Sequence, residues 1–275
     1  MQDIAKRFLV GKVRAALNDR SNGERPVERK TDGLFGPQSI AWRVHGDVTT
    51  MMVGGISALL LQMLHPAVLG GVWDHSNFRA DMHGRLRRTA RFIALTTYGS
   101  RSEALAAIDR VRLVHERVRG ELPNGTTYVA TDPELLTWVH VTETLSFLNA
   151  WIRYAEPSMA MSDQDRYFAE VATVAERLGA QNVPASRAAT LDAIGAMRSQ
   201  LRADRRTREV AALVLERPGP LSPEALPLGL MQRAAVDLLP AWARRFHKLP
   251  SSGLARPLVA GGTYALARTL RWAFR

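Results

Sequence analysis

The chain has 275 residues, 46% of them hydrophobic and 23% charged, enough for a single domain that buries a core and a cofactor. It contains no cysteine, which excludes structural disulfides, thiolate zinc sites, iron–sulfur clusters, a cysteine nucleophile and thiolate-ligated haem; any bound metal must use His, Asp, Glu or Tyr. The formal charge of +11 is almost all arginine, but those arginines are spread over many segments with no basic stripe interleaved with aromatics, which argues against a nucleic-acid partner.

In chain order, Met1 to Leu17 alternates charged and apolar residues and has no uninterrupted apolar stretch of the signal-peptide kind, so a cytoplasmic protein is expected. Met51 to Trp73 contains no Asp, Glu, Lys or Arg, yet Gly54-Gly55, Gln62, His65-Pro66 and Gly70-Gly71 interrupt it. Pro66 should break or kink the helix near His65, so a buried core helix plus loop is predicted in place of a membrane span. Ser100 with Glu103 forms a capping box, and Leu105, Ile108, Val111, Val114 and Val118 follow at helical spacing, predicting one helix over 100–120 that ends at Gly120. Asp132-Pro133 reads as an N-cap followed by proline at the first helical position, opening a helix through Trp138, His140, Phe147 and Trp151 to the stop at Pro157.

Ser162 with Asp165 is expected to start a helix through Leu178, and 185–201 and 207–215 read as two more. Pro218-Gly219-Pro220 interrupts the chain. Beyond it, 226–246 is predicted helical with a bend at Pro240, and 254–274 is a second apolar and basic segment. With little β signal and no internal repeat, the expectation is an all-α protein and one domain over residues 1–275.

The chemistry concentrates in 100–120. Arg112, His115 and Arg119 lie at offsets of three and four, which on a helix place one imidazole between two guanidinium groups. Neutral imidazole is a common iron ligand, and flanking arginines can hold carboxylates such as haem propionates in bidentate fashion. A solvated basic face with an ordinary histidine has the same spacing. Of the other histidines, His65 and His140 are candidate pocket residues or alternative ligands, and His45, His75, His83 and His247 are expected to be structural or exposed. His140 with Glu143 one turn later could be half of a di-iron site, but the second Glu-x-x-His is missing. No nucleophile elbow, phosphate loop or dinucleotide fingerprint occurs where a strand would deliver it, so hydrolase and nucleotide functions fall away.

The order Leu64-His65-Pro66, Arg85-x-x-Arg88-Thr89, Arg112-x-x-His115-x-x-x-Arg119-Gly120, Trp138-Val139-His140 resembles the family that joins latex-clearing proteins, the rubber oxygenases, to the fungal MpaB oxygenase, formerly a domain of unknown function. The resemblance runs from about Ile40 to Tyr154. It implies a globin-like helical core around haem b, with His115 as the proximal iron ligand, Arg112 and Arg119 flanking it, and Arg85 and Thr89 near the haem. It also implies dioxygen and a hydrophobic, isoprenoid or unsaturated-lipid-like substrate, with the glycines of 51–73 allowing close approach to the ring. The chain departs from the rubber enzymes at Arg88, where they carry a lysine; arginine stays protonated and is a poor proton acceptor, though suited to holding anionic charge. The distal glutamate of those enzymes has no counterpart that can be placed. A haem-binding protein without turnover, or a haem-free lipid-binding protein, are the competing expectations. The segment with Arg256, Arg268, Arg271 and Arg275 among Leu258, Tyr264, Trp272 and Phe274 could lie on an anionic bilayer or pack on the core.

Overall fold

A computed structural model describes residues 2–17, 24–216 and 225–274. Pro218-Gly219-Pro220 lies outside the described residues. The chain is all-α: α1 (Gln2–Leu17), α2 (Ile40–Val44), α3 (Val48–Gln62), α4 (Pro66–His75), α5 (Met82–Tyr98), α6 (Arg101–His115), α7 (Pro133–Tyr154), α8 (Met161–Leu178), α9 (Arg187–Met197), α10 (Arg205–Val214), α11 (Ala225–Leu238), α12 (Ala241–His247) and α13 (Arg256–Phe274). Between α6 and α7 a small antiparallel hairpin joins β1 (Arg119–Glu121) to β2 (Thr127–Val129), with Gly120 opposite Tyr128.

The centre is the pairing of α3 with α7, around which α9, α11 and α13 gather. Both helices are enclosed by protein on nearly all sides, Glu134 being the one exposed residue of the two. Leu60, Leu61, Trp138, Val141, Leu145 and Leu148 are buried where they meet. The approach is close enough to require glycine at position 54, since a Cβ there would fall 2.7 Å from the Phe147 ring and 2.9 Å from the Phe147 Cα. The glycines of 51–73 thus serve helix packing: Gly54 meets α7, and Gly70 faces Tyr128 and Leu122 of the hairpin.

His65 caps α4, Pro66 occupies its first turn, and α3 and α4 bend by 105° at this break. No single described helix is long and apolar enough to cross a membrane; only this bent pair passes by length and composition together. Ten of the fifteen residues of α3 are buried within the fold.

Several boundaries differ from those expected, most of them set by local caps or by proline. Helix α8 starts at Met161 after Ala160, with Ser162 inside its first turn. The segment 185–201 is α9 capped by Ser186 plus a short 3-10 turn, and α10 begins at Arg205 behind an Asp204–Thr207 capping box. At Pro240 the predicted bend is a full break into α11 and α12, the proline serving as the N-cap of α12.

Candidate functional site

Helix α6 begins as the sequence predicts. The Ser100 side chain accepts from the Glu103 amide, and the Glu103 carboxylate accepts from the Ser100 amide. Its buried face is Ala104 and Ile108, continued by half-buried Val111, while Val114 is 55% exposed, so the inner stripe is one residue out of phase with the one expected there. His115 is the last helical residue and the next rung of that stripe. The helix does not continue to Gly120: the Val118 amide bonds the His115 carbonyl in a turn, and Arg119 then enters β1.

This corrects the expected geometry around His115. Arg112 remains on the helix one turn before it, exposed, with only Asp109 at 3.8 Å. Arg119 does not share that helix face, because cross-strand pairing with Val129 draws it into the hairpin, which docks on α4. There the His75 Nε2–H donates to the Arg119 carbonyl at 2.9 Å and the Tyr128 hydroxyl donates to Asp74 at 2.7 Å. The Arg119 side chain is exposed and donates to the Glu116 carbonyl.

His115 is half-buried. Its Nδ1 is inaccessible to solvent, and neither ring nitrogen has a hydrogen-bond partner among the described residues. Two effects oppose each other at this ring. The partial negative charge at a helix C-terminus favours imidazolium, whereas burial favours the neutral ring. Burial wins, lowering the pKa below its ordinary value of 6.5. The group is therefore a neutral imidazole with unused lone-pair capacity, the form a metal takes.

His140 resembles it. On α7 the ring is 8% exposed, its Nε2 is buried without a partner, and burial pushes its pKa down to about 4. One turn on, Glu143 is half-buried with no hydrogen bond or ion pair among the described residues, and desolvation raises its carboxyl to about 7. His65 is different: its Nε2–H donates to Gln200 Oε1 at 3.0 Å, and Gln200 in turn donates to Glu134 at 2.8 Å. That chain ties α4 to α7 and occupies the nitrogen.

Helix α5 packs on α6 and opens at Asp81, whose carboxylate accepts from the Gly84 amide at 2.7 Å. Arg85 turns inward: its guanidinium donates to Ser76 at 3.1 Å, and burial followed by the neighbouring Arg88 charge lowers its pKa, although the group stays charged. Arg88 is exposed and 3.4 Å from Asp81. Thr89 is exposed, and its hydroxyl is committed to the Arg85 carbonyl one turn back. Of these three, only Arg85 is inside the fold.

One buried cluster carries no sequence motif. His45, the C-cap of α2, contacts Thr97 Oγ1 through Nδ1 and Tyr167 Oη through Nε2, both at 2.8 Å. Burial drives its pKa down to about 3, and the Tyr167 hydroxyl is raised well above its ordinary value by burial first and then by the charges of Glu143 and Glu170. Glu143 was legible as an acid inside the apolar run of α7. The meeting of His45, Thr97 and Tyr167 was not, since it joins α2, α5 and α8.

The described cavities lie elsewhere. One of about 400 Å³ is lined by Gln232, Val236 and Leu249, and another of about 240 Å³ by Leu145, Asn149 and Trp242. Neither borders His115. No group of three or more potential metal-binding His, Asp or Glu side chains occurs among the described residues. As a neutral imidazole with no hydrogen-bond partner among the described residues, His115 has the donor chemistry that a haem iron would take.

Residues 42–272 match the family described as ER-bound oxygenase mpaB/B′/rubber oxygenase, catalytic domain, a span that reaches from α2 into α13. No curated protein and no solved structure matches the chain.

Proposed function

Because the chain belongs to the MpaB and rubber oxygenase catalytic-domain family, we propose that it is a haem b-dependent oxygenase acting with dioxygen on a hydrophobic substrate of isoprenoid or unsaturated-lipid type. The observation that supports this most is His115: a neutral imidazole at the inner end of α6, partly desolvated and without a hydrogen-bond partner among the described residues. His115 would hold the iron. His140 is a second ring without a partner among the described residues, on α7, and the exposed guanidinium groups of Arg112 and Arg119 would be available to the group's carboxylates. When bound, haem supplies the one-electron and dioxygen chemistry that no side chain in this sequence can provide.

The protein's own contribution is binding, charge and proton placement. Burial keeps His115 unprotonated, so no proton competes for its lone pair near neutral pH. Arg85 places a fixed positive charge inside the fold, oriented by Ser76, where it can stabilise negative charge without reorganising. Glu143, protonated up to about pH 7, is a carboxyl able to give or take a proton at that pH. Arg88 cannot act as a base and is turned to solvent beside Asp81.

That last observation favours a second reading, a haem protein without turnover that serves as sensor or carrier. The first test is the visible and pyridine haemochrome spectra of protein purified from haem-supplemented cells, beside His115→Ala. A Soret band and b-type haemochrome in wild type, lost or shifted in the variant, is expected. Haem-free but folded wild type would sink the proposal. Oxygen uptake with unsaturated isoprenoids then separates oxygenase from carrier.

A further inference from the structure

Helix α13 is latched to the core on one side. Val259, Thr263 and Ala267 are buried, and the Arg271 guanidinium donates to the buried Asp47 carboxylate at 2.6 Å and to the Tyr154 carbonyl at 3.2 Å. Its other side is unusual for a helix facing water. Leu258 is 77% exposed, and Tyr264, Ala265 and Trp272 are exposed with it; the preceding turn leaves Leu254 fully exposed. Arg256 and Arg268 are the exposed charges of the helix, both cationic.

Helix α1 packs against α13, with the Lys6 ammonium 5.1 Å from the centre of the Trp272 ring. It exposes Ile4 and Phe8, one turn apart. Across the two helices the sequence has one acid, Asp3, against Lys6, Arg7, Lys12, Arg14, Arg256 and Arg268 besides the latched Arg271. Exposed aliphatic side chains, interfacial aromatics and an excess of cations thus occur on neighbouring elements.

We propose that the α1–α13 surface docks on an anionic lipid bilayer. Leu254, Leu258, Tyr264 and Trp272 would enter the interfacial layer while Lys and Arg side chains meet lipid phosphates. Charge complementarity selects this occupant. A second copy would bring the same cationic face and be repelled, and nucleic acid would leave the aliphatic side chains unmatched. The Arg271–Asp47 latch makes the helix dock as a fixed part of the domain. The inference is independent of the haem assignment, since it uses only α1 and α13.

The test is flotation of the full chain with phosphatidylcholine vesicles prepared with and without phosphatidylglycerol. Wild type should float at least about tenfold more with the anionic vesicles, and less as salt is added. Leu258→Ser, Tyr264→Ser and Arg268→Glu combined should abolish flotation with an unchanged thermal melt. Leu113→Ser with Val114→Ser, on the exposed apolar side of α6, should float like wild type. Three results would overturn the proposal: no flotation of wild type, equal flotation of the α13 variant, or a wild-type dimer in light scattering that the α13 variant disperses.

Discussion

Two sets of histidines divide the molecule. His45, His65, His75 and His247 each have at least one ring nitrogen in a hydrogen bond: His45 to Thr97 and Tyr167, His65 to Gln200, His75 to the Arg119 carbonyl, His247 to the Leu60 carbonyl. Each joins elements distant in sequence. The side chains of His115 and His140, on α6 and α7, have no hydrogen-bond partner among the described residues, and Glu143 beside His140 has none there either. Buried polar groups are normally satisfied because leaving one unpaired costs about 1–3 kcal/mol. The first set ties distant elements together through a ring nitrogen, whereas the second contributes no such tie among the described residues.

Breaking the satisfied region should cost most. Trp138 is fully buried, with its Nε1–H donating to the Gln62 carbonyl at 3.3 Å. Trp138→Ala should lower stability by about 4 kcal/mol through the cavity it leaves between α3 and α7, measured by chemical denaturation. Gly54→Ala adds a single methyl group 2.9 Å from the Phe147 Cα and should cost roughly 2 kcal/mol, read as an earlier melt than wild type.

The unsatisfied region should respond in the opposite direction. The Glu143 carboxyl titrates near 7 in the fold against an ordinary 4.5, so between these values the folded chain holds a proton that the unfolded chain has lost. Its stabilising contribution is full below about 4.5 and disappears as pH rises through 7. Glu143→Gln should thus gain stability on the order of 1–2 kcal/mol at pH 7.5 and close to nothing at pH 4.5. His45 and His140 act with the other sign. Their folded values of about 3 and 4 lie below the ordinary 6.5, so their contribution is present above 6.5 and lost as pH falls towards 4 and 3. Acid melts of wild type should show that loss, and Glu143→Gln should make it steeper between pH 4.5 and 6.5. The smallest effect is His65→Ala, about 1 kcal/mol for the lost bond to Gln200.

Local signals in the sequence served best where the chain decides its own structure. Ser100 with Glu103, Asp132 with Pro133, and Pro66 after His65 each locate a helix start through atoms within four residues. The end of α6 was not legible from the apolar spacing, which runs on to Val118. What ends the helix is the pairing of Arg119 with Val129 and the docking of that hairpin on α4, although Asn124-Gly125, with Gly125 at φ +83°, is a turn signal the sequence does carry.

The candidate site divides in the same way. His115, Arg85 and His140 could be singled out by spacing and resemblance, and the structure places all three at least partly inside. That Arg88 and Thr89 face solvent, that Arg119 leaves the helix, and that His45 meets Tyr167 depend on how distant elements pack, which no spacing within one segment encodes.

The division between the two sets is tested most directly by haem content per chain, measured side by side for wild type, His115→Ala and His65→Ala after expression with excess haem. His115→Ala is expected to lose or shift the Soret band while its haem-free form melts with haem-free wild type, and His65→Ala to keep wild-type haem content while its haem-free form melts earlier. Haem retained with an unchanged spectrum in His115→Ala and lost in His65→Ala would contradict it.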